Sequence, residues 1–261
     1  MRLQNKVILI TGSTTGIGKA IALRCAKEGA FIVLTGLEEG LGNQVLSELE
    51  TNKAVLHIED ITKEGAPGRL VDLAIKKFGK LDAVVNNAAM VFSSDIHSTD
   101  EAFLRKVIEV NTIAPFALIK AALPYLTEQD GCVLNIGSVN AWSGEPGLLA
   151  YSISKGALMT MTRNLGDSFL RENNIRVNQI NPGWVLTETE IQRKKEQGFS
   201  AEWFKDIPKI FAPAGRLLSP AEIAAAAVYW LSDESGPVSG QVIDLEQYPL
   251  LGRNLNKSPL L

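Results

Sequence analysis

Residues Lys6–Thr11 form a short, continuous, β-branched apolar run, the pattern of a strand buried on both faces. Gly12-Ser13-Thr14-Thr15-Gly16-Ile17-Gly18 follows at once, and Lys19–Lys27 then carries helical periodicity up to Gly29. Strand, glycine turn and helix in immediate succession leave few folds open. Glycines let the backbone approach an anion closely, and the helix N-terminus presents unpaired N–H groups and positive dipole. The spacing is G-x-x-x-G-x-G rather than the general G-x-G-x-x-G. Gly12, Ser13, Gly16, Ile17 and Gly18 are therefore the candidate phosphate cradle.

The same alternation continues along the chain. Further strands are predicted at Phe31–Thr35, Ala54–Ile58, Leu81–Val85, Cys132–Ile136, Ile175–Ile180 and Gln241–Leu245. Helices fill the intervals, among them 41–49, a stretch with Leu70, Val71, Ala74, Ile75 and Phe78 at helical spacing, 153–169 and 220–231. Such βαβ order predicts an α/β fold, a doubly wound parallel seven-stranded sheet with helices on both faces. Ligands bind at the carboxyl ends of the strands in such sheets, where Gly12, Gly36, Asp60, Asn87, Ser138 and Pro182 fall. The 261 residues show no internal linker or repeat, so one domain over 1–261 is expected.

Tyr151 and Lys155 stand four apart at the start of a helical stretch, and so share one helix face. A lysine beside a tyrosine favours the phenolate and is expected to draw its pKa from about 10 toward neutrality. A phenol so tuned exchanges a proton with a carbonyl or alcohol oxygen, and Ser138, ending a strand, would hold that oxygen by a hydrogen bond. Asn111 lies in a helical stretch four residues before Pro115, whose missing N–H cannot serve the carbonyl of residue 111.

Thr11-Gly12-x-x-x-Gly16-Ile17-Gly18, Asn86-Asn87-Ala88-Ala89, Asn111, Ser138, Tyr151-x-x-x-Lys155 and Pro182-Gly183 together resemble the short-chain dehydrogenase/reductase family, in order from about residue 3 to about 246. The resemblance implies a Rossmann-like sheet and hydride transfer between a nicotinamide and a substrate carbon. Tyr151 would be the acid/base group, with Lys155 binding the nicotinamide ribose and Ser138 orienting the substrate oxygen. Asn111, through its kink, would hold a water that passes protons from Lys155 to solvent. By the same resemblance Asp60 and Ile61 meet the adenine, the alternative being that Asp60 merely caps a helix beginning near Thr62. Asn87 lines the adenosine ribose, and Gly183, Val185 and Thr187 hold the carboxamide. Ala89 departs from the family's usual glycine, and Asp244-Leu245-Glu246-Gln247-Tyr248 replaces its common D-G-G segment.

The end of the second strand offers Gly36-Leu37, followed by Glu38 and Glu39. With no cation there for a 2′-phosphate, NAD is favoured over NADP. Asn140, Trp142 and Glu145, with Trp184, are candidate substrate residues suited to a sugar or polyol, while both tryptophans could instead be packing residues. Residues 188–213 are predicted to be a mobile amphipathic lid, and 247–261 a tail that shapes the pocket or a subunit contact. Consecutive apolar residues at 116–119 and 157–159 exceed what one sheet-facing stripe needs, so a homo-oligomer, a tetramer by resemblance, is expected.

A net charge of −3 and a pI near 5.6 argue against nucleic acid, and Arg193-Lys194-Lys195 reads as a solvated helix face. No uninterrupted apolar run reaches membrane length, and the start leaves no room for a signal peptide. Cys25 and Cys132 suit a reducing cytoplasm, and His57 and His97 are too isolated for a metal site. Beside a sugar or polyol dehydrogenase stand two alternatives: a 3-oxoacyl-[acyl-carrier-protein] reductase and a non-catalytic dinucleotide sensor or scaffold. Intact Asn111, Ser138, Tyr151 and Lys155 argue against the sensor.

Overall fold

The computed structural model describes residues 1–250 of the chain. Seven strands run β1 Val7–Ile10, β2 Phe31–Gly36, β3 Ala54–Ile58, β4 Ala83–Asn86, β5 Cys132–Ile136, β6 Arg176–Pro182 and β7 Val242–Leu245. Nine α-helices accompany them among the described residues: α1 Gly16–Lys27, α2 Glu39–Ser47, α3 Ala66–Phe78, α4 Glu101–Ile108, α5 Ala114–Glu128, α6 Asn140–Ser143, α7 Leu149–Asn173, α8 Glu188–Glu196 and α9 Pro220–Leu231. All strand pairs are parallel in the order β3-β2-β1-β4-β5-β6-β7. The order reverses between β1 and β4, which opens a crevice at their carboxyl ends.

Pleating sorts the core into two layers. Ile8 and Ile10 face Ile21, Ala22, Ile223 and Ala227 of α1 and α9, while Val7 and Leu9 face the layer of Leu70, Val71, Leu118, Ile119 and Ala122 from α3 and α5. With both faces covered, no polar alternation survives in β1, and all four of its residues are buried.

Several boundaries differ from the sequence pattern. Helix α1 begins at Gly16, so two cradle glycines lie inside it, and α7 begins two residues before Tyr151. The run Glu101–Glu128 is long and apolar enough by composition to cross a membrane, although charged residues interrupt it. Its apolar side chains Val107, Leu118, Ile119, Ala122 and Leu126 are buried within the domain. Between α4 and α5 the helix widens into a π turn at Glu109–Ile113 that contains Asn111, with Pro115 at the start of α5. Of the predicted tail, residues 251–261 lie outside the described ones.

Candidate active site

The cradle is built by glycines where no side chain would fit. Gly12 and Gly16 have φ of +59° and +52°, the left-handed region. A Cβ on Gly18 would overlap the Gly12 carbonyl and the Asn87 amide. Asn87, at the end of β4, donates through Nδ2 to the carbonyls of Thr11 and Gly12, both at 2.9 Å. Thr11 Oγ1 in return accepts from the backbone N–H of Asn87 and Ala88 at 3.0 and 3.1 Å. Ser13 is buried, with its Oγ accepting from the Thr35 N–H at 2.9 Å, so its side chain ties the loop to β2. Thr15 makes no side-chain cap, and the first turn of α1, with Ile17, carries no acidic residue. The uncapped N-terminus of α1 thus follows a tight glycine turn that brings backbone close and adds no acidic charge, which fits a dinucleotide pyrophosphate.

At the outer end of this groove Leu37 is 72% exposed, with Glu38 and Glu39 beside it, also exposed. A Cβ on Gly36 would meet Thr14 Oγ1 and Cγ2 at 2.7 Å, so Thr14 fills the space behind that position. Asp60 Oδ1 accepts from the Thr62 N–H (3.0 Å) and hydroxyl (2.7 Å), closing a turn before half-buried Ile61 and Thr62 enter the next loop. The hydroxyl bond, then the backbone bond, hold the Asp60 carboxyl below its usual range. The next helix starts only at Ala66 with Gly65 before it, so Asp60 closes a turn rather than capping a helix, and Oδ2 takes no part in that turn.

Ser138, Tyr151 and Lys155 converge beyond the end of β5. The Tyr151 phenol lies close enough to the Ser138 hydroxyl for that hydroxyl to lower its pKa, Ser138 Oγ accepts from the Asn140 N–H at 3.2 Å, and Lys155 Nζ lies 5.7 Å from the phenol ring centroid. Lys155 is buried and donates to the Ile136 carbonyl at 2.7 Å. Burial pushes the Tyr151 pKa up to about 12, against a lowering by the Ser138 hydroxyl, and burial pulls Lys155 down to about 7. This corrects the expected depression of the phenol. The lysine hydrogen bond goes to a backbone carbonyl, and desolvation of both charged forms outweighs their mutual attraction.

Asn111 is buried inside the π turn, with Oδ1 accepting from the Met90 N–H at 2.7 Å. Its Nδ2 donates to the Met90 carbonyl (3.0 Å) and to Ser154 Oγ (2.9 Å). The side chain therefore clamps the chain after β4 to α7, one residue before Lys155. Ser154 carries no motif of its own and is legible only as a polar residue on the inward face of α7.

The substrate side is walled by α6, the loop after it and α8. Asn140 Nδ2 donates to Glu145 at 2.9 Å. The Trp142 ring packs under the Arg163 guanidinium, 4.7 Å from the centroid, while its Nε1 donates to Asp244 at 2.9 Å. Trp184 stacks on Trp203 at 5.3 Å and 21° within a cluster of Ile207, Ala212 and Leu217. Trp184 is thus engaged in packing within the flap, whereas Trp142 is held by Arg163 and Asp244 and stays 37% exposed. The 188–213 region is a folded flap, in which Glu190 accepts from Trp184 Nε1 (2.9 Å) and pairs with both ends of the Arg193 guanidinium (2.8 and 2.9 Å). Gln197 reaches across to Ser93 at 3.2 Å. Arg193 is no solvated residue: its charge acts on Tyr151 and Glu145 across the site, and its pKa is raised chiefly by the Glu190 bond.

The flap is fastened at both feet. Leu186 N–H donates to Leu218 and Leu218 N–H to Trp184, pairing Val185 with Leu218. Glu246 Oε2 accepts from the Trp184 N–H at 3.2 Å, in the space a Cβ on Gly183 would need. Gln247 accepts from Ala214 (2.9 Å) and donates to the Arg216 carbonyl (2.7 Å). Thr187 caps α8 by accepting from Glu190 N–H, which leaves Gly183, Val185 and Thr187 on the segment leading from β6 into the flap.

A family profile described as enoyl-(acyl carrier protein) reductase matches residues 12–246. The chain is 31% identical over 252 residues to a 3-oxoacyl-[acyl-carrier-protein] reductase of Thermotoga maritima, covering 94% of this chain and 98% of that one. It is 34% identical over 243 residues to 2-(S)-hydroxypropyl-CoM dehydrogenase 3 of Xanthobacter autotrophicus, covering 92% and 94%. To glucose 1-dehydrogenase 2 of Bacillus subtilis it is 35% identical over 247 residues, covering 92% and 93%.

Proposed function

The chain belongs to the short-chain dehydrogenase/reductase family, whose members carry out NAD(P)-dependent oxidoreduction, and from that premise we propose that it interconverts a secondary alcohol and a ketone. The observation that carries this reading is the grouping of Ser138 and Tyr151 with buried Lys155, whose Nζ lies 5.7 Å from the phenol ring, at the strand ends next to the glycine cradle. NAD(P), when bound, supplies or accepts the hydride. Gly12, Ser13, Gly16, Ile17 and Gly18 would hold its pyrophosphate, Leu37, Asp60, Ile61 and Asn87 its adenosine half, and Gly183, Val185 and Thr187 its carboxamide. Tyr151 gives a proton to, or takes one from, the substrate oxygen that Ser138 fixes. Lys155, with a pKa pulled to about 7, is suited to pass that proton on near neutral pH and to bind the nicotinamide ribose. Asn111 would keep Lys155 in place through Ser154, and its backbone carbonyl in the π turn would hold a water that passes protons from Lys155 to solvent.

NAD is the favoured cofactor, because Leu37 and two carboxylates stand where a 2′-phosphate would need a cation. The substrate class is a sugar, polyol or similar small hydroxy compound, which the polar Asn140–Glu145 pair suits. A second reading, reduction of a 3-oxoacyl thioester, draws on the Thermotoga relative. A homotetramer fits the outward apolar residues Ile113, Phe116 and Ile153, 45%, 49% and 43% exposed. Buried free thiols at Cys25 and Cys132 fit a reducing, cytoplasmic setting. Nicotinamide absorbance over a panel of sugars, polyols, simple alcohols and acyl thioesters tests the substrate reading. Tyr151→Phe, which removes only a hydroxyl, should lower turnover by about 10²–10⁴-fold while dinucleotide binding persists. Turnover retained above about a tenth would remove Tyr151 from the chemistry.

A further inference from the structure

A line of polar side chains runs inside the sheet behind Ser138. Asn86 Nδ2 donates to Asn135 Oδ1 (2.9 Å), Asn135 Nδ2 to Thr162 Oγ1 (2.8 Å) and Thr162 Oγ1 to Gln179 Oε1 (2.7 Å). Gln179 Nε2 donates to Asn181 Oδ1 (2.7 Å), and Asn181 Nδ2 to Asp244 Oδ1 (3.0 Å). The Thr162 hydroxyl also has the Leu158 carbonyl in reach at 3.0 Å, and the Gln179 contact is the shorter. Asn86, Asn135, Thr162, Gln179 and Asn181 are all buried, whereas Asp244 stands at the exposed end of β7. A Cβ on Gly137 would overlap Asn181 Oδ1 and Gln179 Nε2, so the glycine before Ser138 makes room for the line.

Every donor in the line points toward Asp244. A carboxylate has lone pairs and no hydrogen to give. Asn181 must therefore turn its Nδ2 outward, which leaves its Oδ1 facing inward to accept from both Gln179 Nε2 and the Ser138 N–H, the latter at 3.1 Å. Each amide sets the next, and aligned hydrogen bonds polarise one another. At the far end Asn86 Oδ1 has no partner among the described residues. The one unmet acceptor thus lies farthest from the charge, as it would if the direction were imposed from Asp244. The same carboxylate oxygen accepts from Trp142 Nε1 at 2.9 Å, so it also ties down the loop over the substrate side.

We propose that Asp244 is a positioning residue: as the terminal acceptor of this line it fixes the orientation of Asn181 and thereby holds Ser138, and the Trp142 loop with it, in reactive geometry. The inference rests on the assignment of Ser138 as the group that orients the substrate oxygen. Without a donor-free partner at residue 244, Asn181 is free to turn its Nδ2 toward the Ser138 N–H. Two donors then face each other, and Ser138 loses its anchor.

Ser138→Ala, Asp244→Leu and Asp244→Asn, assayed with the substrate found by the panel, separate the two assignments. Asp244→Leu should lower kcat by about tenfold or more, with cofactor KM changed by less than about twofold and faster amide hydrogen exchange confined to residues 137–142. Asp244→Asn keeps the shape but presents either an acceptor or a donor, so its effect should fall in between; it decides the question if the leucine variant does not fold. An inactive Ser138→Ala beside Asp244 variants of wild-type kcat overturns the positioning role and leaves Ser138 standing. A fully active Ser138→Ala overturns both. Exchange that rises over the whole sheet makes Asp244 a general structural residue and also overturns the proposal.

Discussion

Lys155 stores a cost of folding that replacement should release. Its pKa falls from 10.5 to about 7 because the ammonium is desolvated. Each tenfold in proton affinity is about 1.4 kcal/mol, so holding this side chain at about pH 7 costs the folded chain about 4 kcal/mol. The folded value lies below the unfolded one, so between about pH 7 and 10.5 the unfolded chain binds more protons, and stability from this group rises with pH. The cost is full below about pH 7 and nearly gone by about pH 10. Lys155→Met keeps the length and removes the titration, but leaves the Ile136 carbonyl without its donor, a loss of about 1–3 kcal/mol. The inactive variant should therefore be more stable than wild type by about 1–3 kcal/mol at about pH 7, and equal or less stable at about pH 10. Urea unfolding followed by circular dichroism, at one fixed protein concentration, measures both. The pH dependence of the difference, about 3–4 kcal/mol over that span, is insensitive to packing, and the two buried thiols cancel from it. A difference that stays constant from about pH 7 to 10 would refute a desolvated Lys155.

Leu37→Arg places a guanidinium beside the exposed end of β2 and should shift kcat/KM toward NADP by about tenfold or more; a wild-type enzyme already strongly preferring NADP would sink the reading of Gly36-Leu37. Phe116→Asp, at a residue 49% exposed, should dissociate the oligomer at micromolar concentration with little loss of monomer fold. Sedimentation equilibrium reads this, and a wild-type chain running as a 28.3 kDa monomer contradicts the interface.

Much of the fold was legible because it rests on local signals. Most of the strands are short apolar runs, β6 being the exception, and the cradle glycines announce a turn that side chains would obstruct. What escaped depends on distance in three dimensions. The Tyr151–Lys155 spacing places both groups on one face, but spacing does not reveal that both are buried, and burial sets the sign of each pKa. Arg193 reads as one of three solvated cations until Glu190 and the flap carry it over the site. Trp184 looks available until Trp203 stacks on its ring, whereas Trp142 keeps an exposed edge beside Arg163. Asn178 and Gln179 lie inside the predicted strand 175–180, and Asn181 joins them in the longer observed strand; all three are buried, and buried amides need partners that a strand pattern does not reveal.

The fastening of the flap also bears on how such a protein can change. Its two feet, at Trp184–Leu186 and Ala214–Leu218, lie side by side and are held by the adjacent residues Glu246 and Gln247. A segment whose ends meet behaves as a cassette: its length and lining can be exchanged while the strands beneath it keep their register. New pocket linings could then arise by replacing the stretch between those feet, with Ser138, Tyr151 and Lys155 left untouched.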